Sequence, residues 1–282
     1  SMSAGFIGYD NRGPAGFPSP AVWGNCPNTL LNDLGKGYFV HADGVGNLSS
    51  LPGLRTDSDS ETFTYDDGSN GDNRTVNAAT GATDNNSLAA HTSALAQVVK
   101  NGGNKLWVEV DIALAALTDQ ALFIGLAEEA ALDRDVVADD PGNDAQAGLA
   151  TESLIGFVTQ QNSSATDKID AVYRKDAETV QTVLADATNA TALDSRSENG
   201  VQLQSDLKGD LAADTFRRFG VHFNGRDKLQ WFVDGVKVAE QTVDGTVDQS
   251  KEYGAIVALK TGAGSARTFR YRFIRAAAQL RG

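Results

Sequence analysis

The stretch RFGVHFNGRDKLQWFVDGVKV, residues 218–238, decides the fold. Phe219, Val221 and Phe223 alternate with Gly220 and His222, and Leu229, Trp231 and Val233 alternate with Gln230 and Phe232. A period of two puts one set of side chains on one face of a strand and the other set on the opposite face. Asn224-Gly225 and Asp234-Gly235 stand between the runs, residue pairs that tolerate the positive φ of hairpin turns. Val236 and Val238 then begin a return strand, so the stretch predicts two tight hairpins in an antiparallel meander.

Working outward, the same period recurs. Leu106, Val108, Val110 and Ile112 alternate with Trp107, Glu109 and Asp111. Short apolar runs at 122–126, 154–158, 169–173, 179–184 and 253–259 have the length of sheet-core strands. In the final run, 267–274, Phe269, Tyr271 and Phe273 are expected on one face and Arg270 and Arg272 on the other. Roughly ten to thirteen strands and no long amphipathic helix imply a β-sandwich or barrel.

The chain has 282 residues, a length that large β-sandwiches reach as one unit. Glycine is abundant, at 29 residues, while only 6 prolines occur, which suits many turns without helix breakers. A net charge of −13 argues against nucleic acid and against an anionic membrane surface, both of which require clustered Lys and Arg. The single cysteine, Cys26, allows no intrachain disulfide and reads as a small buried hydrophobe. No run of apolar residues is long enough for a membrane span, and no basic-then-apolar leader is visible. Ser1-Met2 reads as a tag scar.

Residues 1–36 form a distinct segment rich in Gly, Pro and Asn, yet Phe6, Tyr9, Phe17, Val22 and Trp23 are scattered through it. A free tail does not carry so many large apolar groups. The expectation is an extended arm, docking through Phe6, Tyr9, Phe17 and Trp23 on its own domain or on a neighbouring subunit, ahead of a sandwich domain at 37–282. Short apolar patches at 37–41 and 61–65 are followed by a polar loop at 66–86 and, later, an acidic loop at 133–143.

The stretch 218–238, ending in Val233-Asp234-Gly235-Val236-Lys237-Val238, resembles the central hairpins of concanavalin-like jelly rolls, the fold of laminin-G-like domains and family 16 glycoside hydrolases. The resemblance implies an all-β, concanavalin-like (laminin-G-like) jelly-roll sandwich of two antiparallel sheets with an extended N-terminal arm. It implies little about function, since the fold hosts lectins, hydrolases and structural modules. A second resemblance lies in Trp23-Gly24-Asn25-Cys26-Pro27 followed by Gly37-Tyr38-Phe39-Val40, which is similar to structural proteins of tailed bacteriophages in which such an arm precedes a jelly roll. That resemblance implies a virion protein of capsid-decoration or head-fibre type, made in the host cytoplasm. Its partners would be capsid or other virion proteins, copies of itself, and host-surface glycans.

Catalysis by this fold would need paired carboxylates. Family 16 hydrolases carry Glu, Asp and Glu at alternate positions of one strand. Glu109 and Asp111 match the first two, beside Trp107, but the third position falls on Ala113 or Leu114. The expectation is therefore a non-enzymatic protein, with Trp107, Glu109 and Asp111 as candidate carbohydrate or ion contacts. His41, His91 and His222 match no Ser-His-Asp arrangement, and there is no Gly-x-Ser-x-Gly elbow. One cysteine and three scattered histidines exclude a Cys/His zinc site. Calcium in the oxygen-rich loops 66–73 or 133–144 is the one cofactor the composition leaves open, although neither loop follows EF-hand order.

Overall fold

The computed structural model describes residues 18–27, 35–43, 54–59, 62–65, 75–138, 148–159, 167–190, 209–262 and 264–280. The segment 218–238 supplies β12 (Arg217–Phe223), β13 (Lys228–Val233) and the start of β14 (Val236–Thr242). Register pairs Phe219 with Val233 and Phe223 with Leu229. The two connections differ from each other. Asp234 and Gly235 both take positive φ, 50° and 79°, as a tight two-residue turn demands. The 224–227 connection is instead a longer loop, in which the Asn224 side-chain oxygen accepts from the backbone N–H of Arg226, Asp227 and Lys228. An Asx turn of this kind substitutes a side-chain carbonyl for a backbone one.

The remaining elements are α1 (Pro20–Trp23), β1 (Gly37–Asp43), β2 (Leu54–Ser58), β3 (Thr62–Tyr65), β4 (Val76–Ala79), β5 (Ser87–Thr92), β6 (Ala96–Gln97), β7 (Lys105–Leu114), β8 (Gln120–Glu128), β9 (Leu154–Thr159), β10 (Ile169–Arg174), β11 (Gln181–Leu184), β15 (Glu252–Thr261) and β16 (Thr268–Gln279). They form two eight-stranded sheets in which every strand pair is antiparallel. The first runs β14-β13-β12-β7-β16-β4-β3, with β1 also on β16; the second runs β11-β10-β9-β8-β15-β5-β2, with β6 on β15. The concanavalin-like sandwich is thus the observed architecture. Among the described residues no helix is long and apolar enough to cross a membrane.

The alternation of the sequence becomes the core. Leu106, Val108, Val110 and Ile112 meet Phe219, Val221, Phe223, Leu229 and Trp231 in one buried cluster with Leu122, Ile124, Ile155, Phe157 and Val257 from the facing sheet. Trp231 is fully buried, and its indole N–H donates to the Gly156 carbonyl at 2.9 Å across the interface, so its polar edge is satisfied. Asp234 has a role beyond its turn. Its carboxylate accepts from Arg217 Nε at 2.7 Å and from the Arg218 backbone N–H at 3.0 Å, clamping the turn to β12.

Two features differ from the sequence expectation. A bulge in β16 lies between Tyr271 and Phe273, so Tyr271 pairs with Ile112 but Phe273 pairs with Asp111. Phe269, Tyr271 and Ile274 therefore face the core, whereas Phe273 shares the outer face with Asp111 and stacks on His41 at 6.1 Å. The extra residue that a bulge inserts reverses the side-chain alternation beyond it. In addition, β4 falls inside the stretch expected to be a loop at 66–86, and β5, fully buried, pairs with the centre of β15.

Candidate functional site on the outer face of the first sheet

Strand β7 presents Trp107, Glu109, Asp111 and Ala113 on the face away from the core, so the spacing does bring the predicted residues together. All four are buried, at 0, 1, 2 and 1% exposure. The element that covers Trp107 and Glu109 is the N-terminal segment. Pro20 opens the four-residue α1, where a missing N–H costs nothing. The Ser19 backbone N–H donates to Glu109 Oε2 at 2.8 Å, and Trp23 Nε1 donates to the same oxygen at 2.7 Å. Val22 and Trp23 pack with Trp107, Phe232 and Ala277, flanked by Cys26 and Phe39. Gly220 on β12 makes room, since a Cβ there would stand 3.0 Å from the Val22 side chain. Trp23 meets Phe39 edge-on, and the Arg275 guanidinium lies 4.3 Å from the Trp23 ring and 4.8 Å from Phe39.

Electrostatics follow from that cover. Burial pushes the Glu109 carboxyl above its ordinary range, against the pull of its Ser19 and Trp23 hydrogen bonds and the Arg218 charge. His222 lies beneath Trp107, ring centroids 5.0 Å apart and planes 16° apart. Its Nδ1 is 2.9 Å from the Leu106 carbonyl, which assigns the proton to Nδ1. Desolvation lowers the imidazole to about 4, so the ring is neutral near pH 7. Asp111 lies 3.7 Å from Arg272, whose guanidinium covers the Phe216 ring at 3.9 Å. Ala113 pairs with Arg270, so no third carboxylate continues the row.

Of the arm residues, Trp23 docks on the chain's own sheet, and its indole faces Glu109 rather than solvent. Phe6, Tyr9 and Phe17 lie outside the described residues, as does the loop 66–73. A ligand reaching Trp107 or Glu109 would first have to displace α1. Cys26 is half-buried against the same apolar cluster, and burial raises its thiol. In the acidic loop, Asp133 accepts from the Asp135 N–H in a short 3-10 turn. Among the described residues no three His, Cys, Asp or Glu side chains converge as a metal site.

The same outer face stays open toward β3 and β4. A groove of about 620 Å³ is lined by Asn77, Ala79, Ala115, Asp214, Thr268 and Arg270. Arg270 pairs with Asp214 at 2.7 Å and lies 5.7 Å from the Phe216 ring. Asn77 and Arg270 are opposite each other in the β4–β16 register. Asn77 Oδ1, an acceptor, and Arg270 Nε, a donor, are buried without a partner among the described residues. Sequence reasoning missed this groove: Asn77 lay in an expected loop, and Asp214 lies in a polar segment with no periodicity. The one available signal was the outward Arg270.

No protein-family model and no curated protein matches the chain. Solved structures do. Peanut lectin, in a complex with a nine-residue peptide, shares 12% identity over 86% of this chain and 99% of that one, with a TM-score of 0.53. A protein of unknown function from Shewanella oneidensis MR-1 shares 11% identity over 87% of each chain, with a TM-score of 0.50. At these identities the likeness is one of fold. It defines the class as a concanavalin A-like jelly roll, the fold of a lectin.

Proposed function

We propose that this chain is a non-catalytic, carbohydrate-recognising β-sandwich that binds through the open half of its first sheet. The observation that carries this reading is the contrast between Glu109, sealed under α1 with both donors on one oxygen, and the groove beside it. A carboxylate at 1% exposure and a row that ends in Ala113 support the non-catalytic part. The groove volume lies in the range of small-ligand sites. Its lining pairs the Arg270 guanidinium, a donor, with the Asn77 amide and the Asp214 carboxylate at the rim, which matches the paired donor and acceptor character of sugar hydroxyls. The lectin fold of the peanut protein agrees with this class of ligand.

Glycan-array screening followed by calorimetry tests it. Binding that falls at least tenfold in Asn77→Ala and Arg270→Ala is expected; silence across broad arrays overturns the reading. Hydrolysis or lyase activity abolished by Asp214→Asn would overturn the non-catalytic part.

The setting is a proposal on separate grounds. The likeness of Trp23–Pro27 and Gly37–Val40 to tailed-phage structural proteins supports a place on a virion surface, with capsid or other virion proteins as partners and with the arm as the assembling element. Electron microscopy of particles labelled with an antibody to this chain tests it, and unlabelled particles overturn it.

A further inference from the structure

The contact between arm and sheet is self-contained. Its polar part is two hydrogen bonds from Ser19 and Trp23 to one buried carboxylate oxygen. Its apolar part is Val22 at the Gly220 notch and Trp23 among Trp107, Phe39 and Phe232. All of these arm groups fall within residues 19–26, and Gly24 and Asn25 on the same segment are exposed. Apart from Phe39 on the neighbouring β1, the receiving residues come from β7, β12, β13 and β16, far away in sequence; Ser19 and Glu109 are 90 positions apart. The donor is therefore a short peptide and the receiver is a preformed surface.

A helix of four residues has no stability of its own and is held by what it packs against. It belongs to the part of a protein that opens before the sandwich does. The vacated cradle, however, would open Trp107, Phe232 and Ala277 to water and leave the Glu109 carboxylate without its two N–H donors, and the lost apolar burial favours refilling it. What refills it best restores two N–H donors and an indole-sized apolar group. The chemistry that does so is a second Ser-Pro-Ala-Val-Trp segment. Exchange of an identical element between copies is a low-cost route to assembly.

We propose that the cradle formed by Trp107, Glu109, Gly220, Phe232 and Arg275 is a peptide-binding site that accepts residues 19–26 of a second copy of this chain, so that copies assemble by exchanging arms. The inference specifies the arm-mediated assembly named above, and it stands or falls independently of what the groove binds and of any virion setting.

The test mixes two full-length variants carrying different affinity tags. Gly220→Val fills the notch but keeps a working arm; Trp23→Ala weakens the arm but keeps a working cradle. Neither is expected to co-purify with itself, whereas the mixture is expected to form one-to-one heteromers, measured by pull-down and light scattering. Folded variants, by circular dichroism, that stay separate on mixing overturn the proposal. If either variant fails to fold, two wild-type populations with different tags replace them. They are expected to co-purify, and an excess of free peptide of residues 17–27 in reducing buffer is expected to lower that co-purification at least tenfold. Wild-type populations that never co-purify, or that do so regardless of the peptide, overturn it.

Discussion

The outer face of the first sheet has two halves built from the same strands and treated in opposite ways. Over the C-terminal half of β16, the arm seals Trp107, Glu109 and Gly220. Over its N-terminal half, Asn77, Asp214 and Arg270 border an open groove. The bulge at Arg272 lies between the two halves and turns Phe273 outward between Arg272 and the arm-covered region. The comparison teaches that a carboxylate on a sheet face indicates chemistry only if nothing covers it. Glu109 on β7 and Asp214 in the turn before β12 are both acidic and both border this face, yet one anchors a segment of chain and the other, 63% exposed, stands at the rim of a groove.

Substitutions can break that contrast. The largest effect is expected from Trp107→Ala, which empties a fully buried site between His222 and the arm; a loss of about 3–5 kcal/mol is the usual cost of removing a buried Trp, measured by denaturant unfolding. Glu109→Leu removes the acceptor of two buried N–H groups and should cost about 2–3 kcal/mol, while Glu109→Gln, which keeps an acceptor oxygen, should cost less than half of that. Equal losses in the two variants would show that the hydrogen bonds do not hold the arm.

Acid sharpens the same half. His222 is near its ordinary 6.5 when unfolded and about 4 when folded, so the unfolded chain binds more protons between those values. Stability contributed by the neutral ring is complete above pH 6.5 and is lost as pH falls toward 4, by about 3 kcal/mol for a shift of this size. The difference between melting temperatures at pH 7 and pH 4 should shrink in His222→Gln; an unchanged difference would remove His222 from the account. The smallest effects belong to the open half. Asp214→Ala should change stability by no more than about 0.5–1 kcal/mol because an exposed ion pair contributes little, and Asn77→Ala by no more, because its Oδ1 holds no partner among the described residues. Their effect should appear in glycan affinity instead. A large stability loss there would make the groove part of the framework.

How much of this was legible depends on the range of the forces involved. Strands β7, β12 to β14 and β16 could be read because alternation is local, β8 to β11 and β15 because a short apolar run is, and so could the Asp234-Gly235 turn, where the residue pair itself accepts positive φ. Strands β4 and β5 could not. Val-Asn-Ala-Ala and Ser-Leu-Ala-Ala-His-Thr have weak strand preference, and they are strands because β16 and β15 offer them backbone partners. The bulge at Arg272 was hidden for the same reason, since pairing with β7 decides where the ladder slips. Likewise the clamp of Asp234 on Arg217 lies outside what the turn motif itself specifies.

The alternating sequence alone determined that this chain is all-β, a sandwich or a barrel, and that Trp107, Glu109 and Asp111 share one face of one strand. Only the tertiary structure decided that this face divides into a sealed half and an open one. Period-two alternation is a property of neighbouring residues, whereas the bond from Ser19 to Glu109 joins groups 90 positions apart, and nothing in either local pattern specifies the other.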